Sequence, residues 1–349
     1  MNKLNSKALD VSDDIRSAFD EMYERGWTDG LPVIPPREEY VMEMVDSNHL
    51  QGDQIIAELA PDGAPATVEK IAINAVMAGC RNEYLPVLIA AVKAMAQPQY
   101  NQLWVQATTN AVAPFVVING PIRKTLDINC GRGALGPGRR ANATIGRAIR
   151  LIMLNIGGGK AGEVDKSELG QPGKYTFCLG EMEEESPWDP LHVDLGYKPD
   201  DSTISLIGVQ GSVAFRTPFL QPESILMMVA KTMATSWAGC YNNGTGQPVV
   251  IFSPGYAQLF HNAGWSKTRV KEWLYEQTKV PTALMPTEPT MSRHRKPRVL
   301  EGDDRICICA KPDDITIVVA GSSDPYHVTH LPNAGSTEMA TQLIEAKPN

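Results

Sequence analysis

The stretch richest in groups able to move a proton runs from Lys174 to His192, KYTFCLGEMEEESPWDPLH. Clustered carboxylates raise one another's pKa, and one that is partly buried can act as a general acid or base. Glu181 and Glu184 are the candidate carboxylates, with Lys174 at the head of the segment and His192 at its end. A histidine in such company shares the proton transfer or ligates a metal. Charge runs are more often solvated faces. Here Ser-Pro-Trp-Asp-Pro is stiff and Trp188 is large and apolar, which argues against full exposure.

A second stretch, NCGRGALGPGRRANATIGRAIR (129–150), reads as a glycine-rich loop feeding a helix. The first N–H groups of a helix are unpaired and sit at its positive end. With Arg139 and Arg140 beside them, and Asn142 and Thr144 in the first turn, they suit a carboxylate or phosphate. Trp188 completes the candidate substrate-binding set. The spacing is neither GxxxxGK[ST] nor GxGxxG, so no nucleotide is read from it. The plainer alternative is a glycine-permitted turn with solvated arginines.

Sulfur offers two further chemistries. Cys80, Cys130 and Cys178 are candidates for a reactive thiol, Cys130 having Arg132 nearby, although lone cysteines are usually small core residues. Cys307, Cys309, His327 and His330 have the donor types of a zinc site without its usual spacing.

The elements that must position these residues alternate between helical and strand patterns, the signature of an α/β fold. Helices are expected over 12–25, 67–79, the EYLPVLIAAVKAMAQ segment, 142–155 and 222–237. WVQATTN, PFVVING and KYTFCLGE read as strands, and 51–66 as a surface strap. Two halves echo each other. Pro121, Leu126, Asn129 and Gly131 recur as Pro254, Leu259, Asn262 and Gly264, an offset of 254 − 121 = 133. KPDD recurs at 198 and 311, an offset of 311 − 198 = 113. Two echoes in one order point to an internal duplication, with the site at the junction of the halves. The expected division is an N-terminal helix and strap (1–66), a first α/β half bearing the Gly-rich and Glu-rich insertions (67–215) and a second half (216–349).

Composition narrows the partners. A net charge of −8 and no dominant basic patch speak against nucleic acid. No run of 18 apolar residues is present to span a membrane, and MNKLNSKALDVSDDIRS lacks the apolar core of a signal peptide. Six cysteines without CxxC fit reduced thiols, and the expected setting is cytoplasmic.

GWTDGLPVIPP, ATVEKIAINAVMAGC, NGPIRKTLDIN, GPGRRANATIGRAIR, GQPGKYTFCLGEMEEESPWDPLHV and GWSKTRVKEWLYE resemble long proteins grouped with the UGSC-type (seleno)protein family. The resemblance covers roughly residues 26 to 320. It implies selenocysteine or thiol chemistry at a U-G-S-C motif. The comparable spot here is Ala320-Gly321-Ser322-Ser323, so both redox residues are absent, which counts against a redox role. The shared strings carry Arg139, Arg140, Asn142, Lys174, Cys178, Glu181, Glu184, Trp188 and His192.

The reading of first choice is therefore an enzyme that hydrolyses or eliminates from a small anionic organic substrate, with a divalent metal admissible as cofactor. A thiol oxidoreductase and a non-catalytic ligand-binding subunit are the alternatives. A homo-oligomer or a larger complex is the expected assembly.

Overall fold

Phe115, Val116, Val117 and Ile118 form an unbroken apolar run, which suits a strand covered on both faces. The computed structural model describes residues 4–234, 246–284, 304–333 and 335–345. In it this run lies within a strand, Ala113–Asn119, buried on both sides.

Ahead of that strand come α1 (Ile15–Glu24), α2 (Glu38–Ser47), the hairpin of β1 (Ile55–Leu59) and β2 (Ala64–Thr67), then α3 (Val68–Ala78), α4 (Leu85–Met95) and α5 (Gln102–Ala107). Next are β3 (Ala113–Asn119), α6 (Ile122–Thr125), α7 (Arg140–Asn155), β4 (Cys178–Gly180), α8 (Leu191–Asp194) and β5 (Thr203–Val209). They are followed by β6 (Val213–Arg216), α9 (Pro222–Met233), β7 (Val249–Phe252), α10 (Pro254–Asn262) and α11 (Lys267–Gln277). The described chain closes with β8 (Val280–Pro281), β9 (Arg305–Ile306), β10 (Thr316–Val319), β11 (His327–Leu331) and β12 (Ala340–Leu343).

Two four-stranded sheets result. The first runs β4-β3-β5-β12, with β3 parallel to β4 and antiparallel to β5, and β12 antiparallel to β5. The second runs β10-β7-β11-β6, with β7 parallel to β10 and antiparallel to β11, and β6 antiparallel to β11. The order and sense of the strands therefore match position by position. β6 follows β5 in the chain but joins the second sheet, whereas β12 follows β11 but joins the first.

Side-chain alternation builds the layers. Val116 and Ile118 of β3 share a core with Ile71, Leu88 and Ile149 of α3, α4 and α7. Val250 and Phe252 of β7 pack on Ile225, Phe260 and Leu274 of α9, α10 and α11. The opposite faces, Phe115 and Val117 against Val249 and Ile251, meet in a third core between the sheets. The fold is α/β, with helices outside two facing sheets. No helix among the described residues is long and apolar enough to cross a membrane.

Three sequence expectations need correction. The 51–66 strap is mostly an antiparallel hairpin, its edges zipped from Leu59–Ala64 to Ile55–Thr67. The WVQATTN segment is helical over Trp104–Ala107, because Asn101 in a left-handed conformation starts α5 and Val105 and Gln106 turn inward. The two KPDD segments enter strands of different sense. KPDD at 198 leads into β5, antiparallel to β3, whereas KPDD at 311 leads into β10, parallel to β7. In sheet position β5 corresponds to β11, and β10 to β4.

The turn after β3 is tight. Gly120 has φ +83°, and a Cβ there would collide with the Asp201 carbonyl oxygen, so the close approach demands glycine. The Asp29-Gly30-Leu31-Pro32 segment docks on α7, where Arg147 Nε and Nη2 each reach the Asp29 carboxylate at 2.8 Å.

Candidate functional site

The carboxyl-terminal ends of β3 and β4 carry a cluster of buried charge. β3 ends in Asn119, which is fully buried, and β4 runs out into Glu181, also fully buried. The Asn119 Nδ2 donates to Glu181 Oε2 at 2.7 Å and to Glu183 Oε1 at 3.0 Å, so one amide holds two carboxylates. Glu181 also accepts from Leu191 N at 2.8 Å and from Val319 N at 3.2 Å. It thereby ties the insertion after β4 to β10 of the other sheet. Burial pushes the Glu181 carboxyl above the ordinary carboxylate range, against the pull of Lys267 and of its three donors.

Arg123, on α6, is 3% exposed in its side chain and saturated with partners. Its Nε donates to Gly120 O, and its Nη1 to Glu181 O and Glu184 Oε2. Its Nη2 pairs with Glu183 at 2.7 Å and Glu184 at 3.0 Å. Lys124 then meets Glu184 at 2.9 Å on the surface.

His192 completes the group. Its Nε2 lies 3.3 Å from Pro199 O, and a carbonyl can only accept, so Nε2 carries a proton. Nδ1 is left with a lone pair in the neutral ring. It is buried without a hydrogen-bond partner among the described residues and stands 3.9 Å from Glu183 Oε1. Asn119 Oδ1 is likewise buried and unpaired. An unmet buried polar atom costs about 1–3 kcal/mol, so each of these two asks for a reason.

Glu181, Glu184 and His192 are thus brought together, as the sequence suggested, and Asn119, Arg123 and Glu183 join them. The other candidates have different surroundings. Lys174 Nζ pairs with Asp165 at 2.7 Å, and burial lowers its pKa. Asn142 is a buried staple, holding Asn129 N and O, Ala134 O and Cys178 O. Thr144 donates back to Arg140 O, Arg140 donates to Gly79 O, and Arg139 pairs with Asp127 at 2.9 Å on the surface. Trp188 belongs to the core of the second half. It stacks at 9° on Phe260, and its Nε1 donates to Trp265 O.

The sulfur candidates also find structural surroundings. The described cysteines are buried and unbridged. Burial pushes Cys80 up to about 12 and raises Cys130 and Cys178 as well, so these thiols stay protonated at neutral pH. The proposed zinc donors do not converge. Cys309 donates to Lys311 O, Cys307 accepts from Tyr275, and His330 donates Nδ1–H to Val249 O inside the sheet, while His327 is exposed. Among the described residues no group of three or more His, Cys, Asp or Glu is arranged to hold a metal.

Comparison with family models, curated proteins and solved structures finds no match.

The Glu184 environment sets an acid limb. Burial alone would raise this carboxyl, but the hydrogen bonds from Arg123 and Lys124 outweigh it and hold the group at about 2, below its ordinary 4.5. A carboxyl depressed on folding stabilises above its unfolded pKa, and that contribution is lost as pH falls through the folded one. Glu184→Gln is expected to flatten the loss of stability between pH 4.5 and about 2, read by urea denaturation across that window. Because Glu184 is 43% exposed, added salt should shrink the difference. An acid limb identical to that of the parent would separate the carboxylate from Arg123.

Proposed function

We propose that the chain is an enzyme acting on a small anionic organic molecule by acid–base chemistry, in a hydrolytic or elimination step. The observation that carries this reading is the buried, unpaired His192 Nδ1 standing 3.9 Å from Glu183. A neutral imidazole with a free lone pair beside a carboxylate is a general base, typically worth about 10²–10⁴ in rate. In this reading His192 and Glu183 move the proton. Glu181 fixes His192 through Leu191 N, and Arg123 fixes Glu183. Asn119 Oδ1 offers an acceptor for a hydroxyl or amine of the substrate.

The reading also takes the chain as two copies of one unit with the site at their junction. The matching strand order and sense of the two sheets support it, as does the reciprocal placing of β6 and β12. Matching by sheet position gives 319 − 180 = 139 for the ends of β4 and β10, and 327 − 203 = 124 for the starts of β5 and β11. The first copy is thus longer by 15 between these strands, and that surplus is the segment bearing Glu183, Glu184, Trp188 and His192. Glu181 spans the junction, as does Gly321 N, which donates to Cys130 O.

The anionic group of the substrate would be held on the adjoining surface. The Lys124 side chain, Asp127 and Arg139 follow one another there, since Asp127 N donates to Lys124 O and Asp127 pairs with Arg139. Arg139→Ala combined with Arg140→Ala is expected to weaken binding of inorganic phosphate by roughly tenfold or more, measured by isothermal titration calorimetry. Unchanged phosphate affinity with a lowered melting temperature would return both arginines to a structural role.

The direct test is turnover, followed by NMR, of a panel of small carboxylate esters, amides, hydroxy acids and phosphate monoesters. Replacement of Cys80, Cys130 and Cys178 by serine should leave turnover largely intact, while His192→Asn should lower it by about 10²–10⁴-fold. The opposite pattern would favour a thiol enzyme. Binding without turnover across the panel would favour a ligand-binding subunit, a reading to which the fully hydrogen-bonded state of Glu181 lends weight.

A further inference from the structure

The second sheet has its own feature at the matching place. Beyond the carboxyl-terminal ends of the parallel pair β7 and β10, a cleft of about 640 Å³ opens between α10 and the turn 323–325. Ligands in open α/β sheets collect outside the carboxyl ends of the strands, so the location is one the fold favours. Gly255 keeps the cleft's floor close. A Cβ there would collide with the Ser323 carbonyl oxygen.

The lining is selective in its chemistry. Gln258 and Asn262 lie on one face of α10 and pair with each other at 3.0 Å. Pro254, Leu259 and Pro325 supply apolar walls. The charge in the lining comes from Glu185, and no lysine or arginine accompanies it there. Its neighbours Glu183 and Glu184 are neutralised by Arg123 and Lys124. Glu185 instead accepts a hydrogen bond from the Ser323 hydroxyl at 2.9 Å and has no ion-pair partner among the described residues. Ser323 also brings it toward the amino-terminal end of α10. A helix terminus carries about half a positive charge, so it offsets only part of one carboxylate and leaves the cleft negative.

We propose that this cleft binds a small organic cation, an amine or alkylammonium group carrying a short hydrocarbon body. The ammonium group sits against Glu185, its hydrocarbon part lies on Pro254, Leu259 and Pro325, and the Gln258 and Asn262 amides meet any polar substituent. The site is separate from the His192 cluster and does not rest on the acid–base reading.

The test uses the full chain and three probes of similar size: n-butylammonium, n-butanol and butyrate. Binding is followed by NMR shift perturbation of the Gln258 and Asn262 side-chain amides. The cation is expected to bind at least tenfold more tightly than the alcohol, and butyrate more weakly still. Glu185→Gln should remove the preference for the cation over the alcohol. Gln258→Trp, on an exposed position of α10, should block all three probes without unfolding the protein. Equal binding of cation and alcohol, a preference that survives Glu185→Gln, or no shift at any probe concentration up to tens of millimolar would each overturn the proposal. Loss of turnover in the His192 variants would leave this binding unchanged, so the two readings fail separately.

Discussion

Arg123→Met is expected to lower the unfolding free energy by about 3–5 kcal/mol, because it removes one partner of a buried charge network and leaves the other stranded. The guanidinium is nearly inaccessible and meets Gly120 O, Glu181 O, Glu183 and Glu184. Methionine fills similar space but donates nothing, so the two carbonyls and Glu183 Oε2 lose the guanidinium together. The comparison that isolates the cause is Arg139→Ala. Its pair with Asp127 is exposed on both sides, 54% and 74%, and exposed pairs are worth about 0–1 kcal/mol. Adding Glu183→Gln to Arg123→Met should recover part of the loss, since the stranded charge is then gone and coupled sites are not additive. Urea denaturation of the three variants checks this. A loss below about 1 kcal/mol for Arg123→Met would mean that water reaches the cluster and that burial does not govern it.

The same residue illustrates what the sequence hides. In NGPIRKTLDIN the pair Arg123-Lys124 looks like any solvated basic turn. Only the Gly120 turn, pressed against Asp201, aims α6 so that Arg123 enters the protein while Lys124 stays 70% exposed. In EEE, three identical side chains receive three environments: Glu183 is nearly buried, Glu184 is shared between Arg123 and Lys124, and Glu185 faces a cleft. Composition cannot separate them, because their difference lies in long-range contacts. Asn119 did leave a signal: a polar residue closing an apolar run at the carboxyl end of a strand.

Periodicity made α3, α4, α7 and β3 legible, since their apolar faces are set locally. It failed at α5, where a left-handed Asn101 starts a helix within a segment that resembles a strand. The KPDD echo misled for a different reason. Lys-Pro-Asp-Asp precedes a strand by local turn chemistry, and local chemistry is indifferent to whether the strand runs parallel or antiparallel. Trp188 is buried, as its size and apolar character suggest, and its stacking on Phe260 makes it a core residue beside the second sheet.

His192→Asn is expected to show the reverse of the Arg123 result, a loss of turnover of about 10²–10⁴-fold with little change in stability. The stability side follows from the hydrogen bonds. His192 makes one, to Pro199 O, and a single such bond is worth only about 0.5–1.5 kcal/mol net. Asparagine is too short to keep that bond and offers no basic nitrogen toward Glu183, so the expected stability loss is that single bond. Glu183→Gln tests the partner from the other side. It keeps an acceptor for Gly120 N and Asn119 Nδ2 but removes the charge that would stabilise a protonated imidazole. If the pair acts as a unit, the double variant should be no slower than the worse single one, because groups that work together are not additive. Multiplicative losses would show two independent roles. Full turnover in His192→Asn, in a protein that still melts like its parent, would leave the unpaired nitrogen a feature of packing and withdraw the acid–base reading.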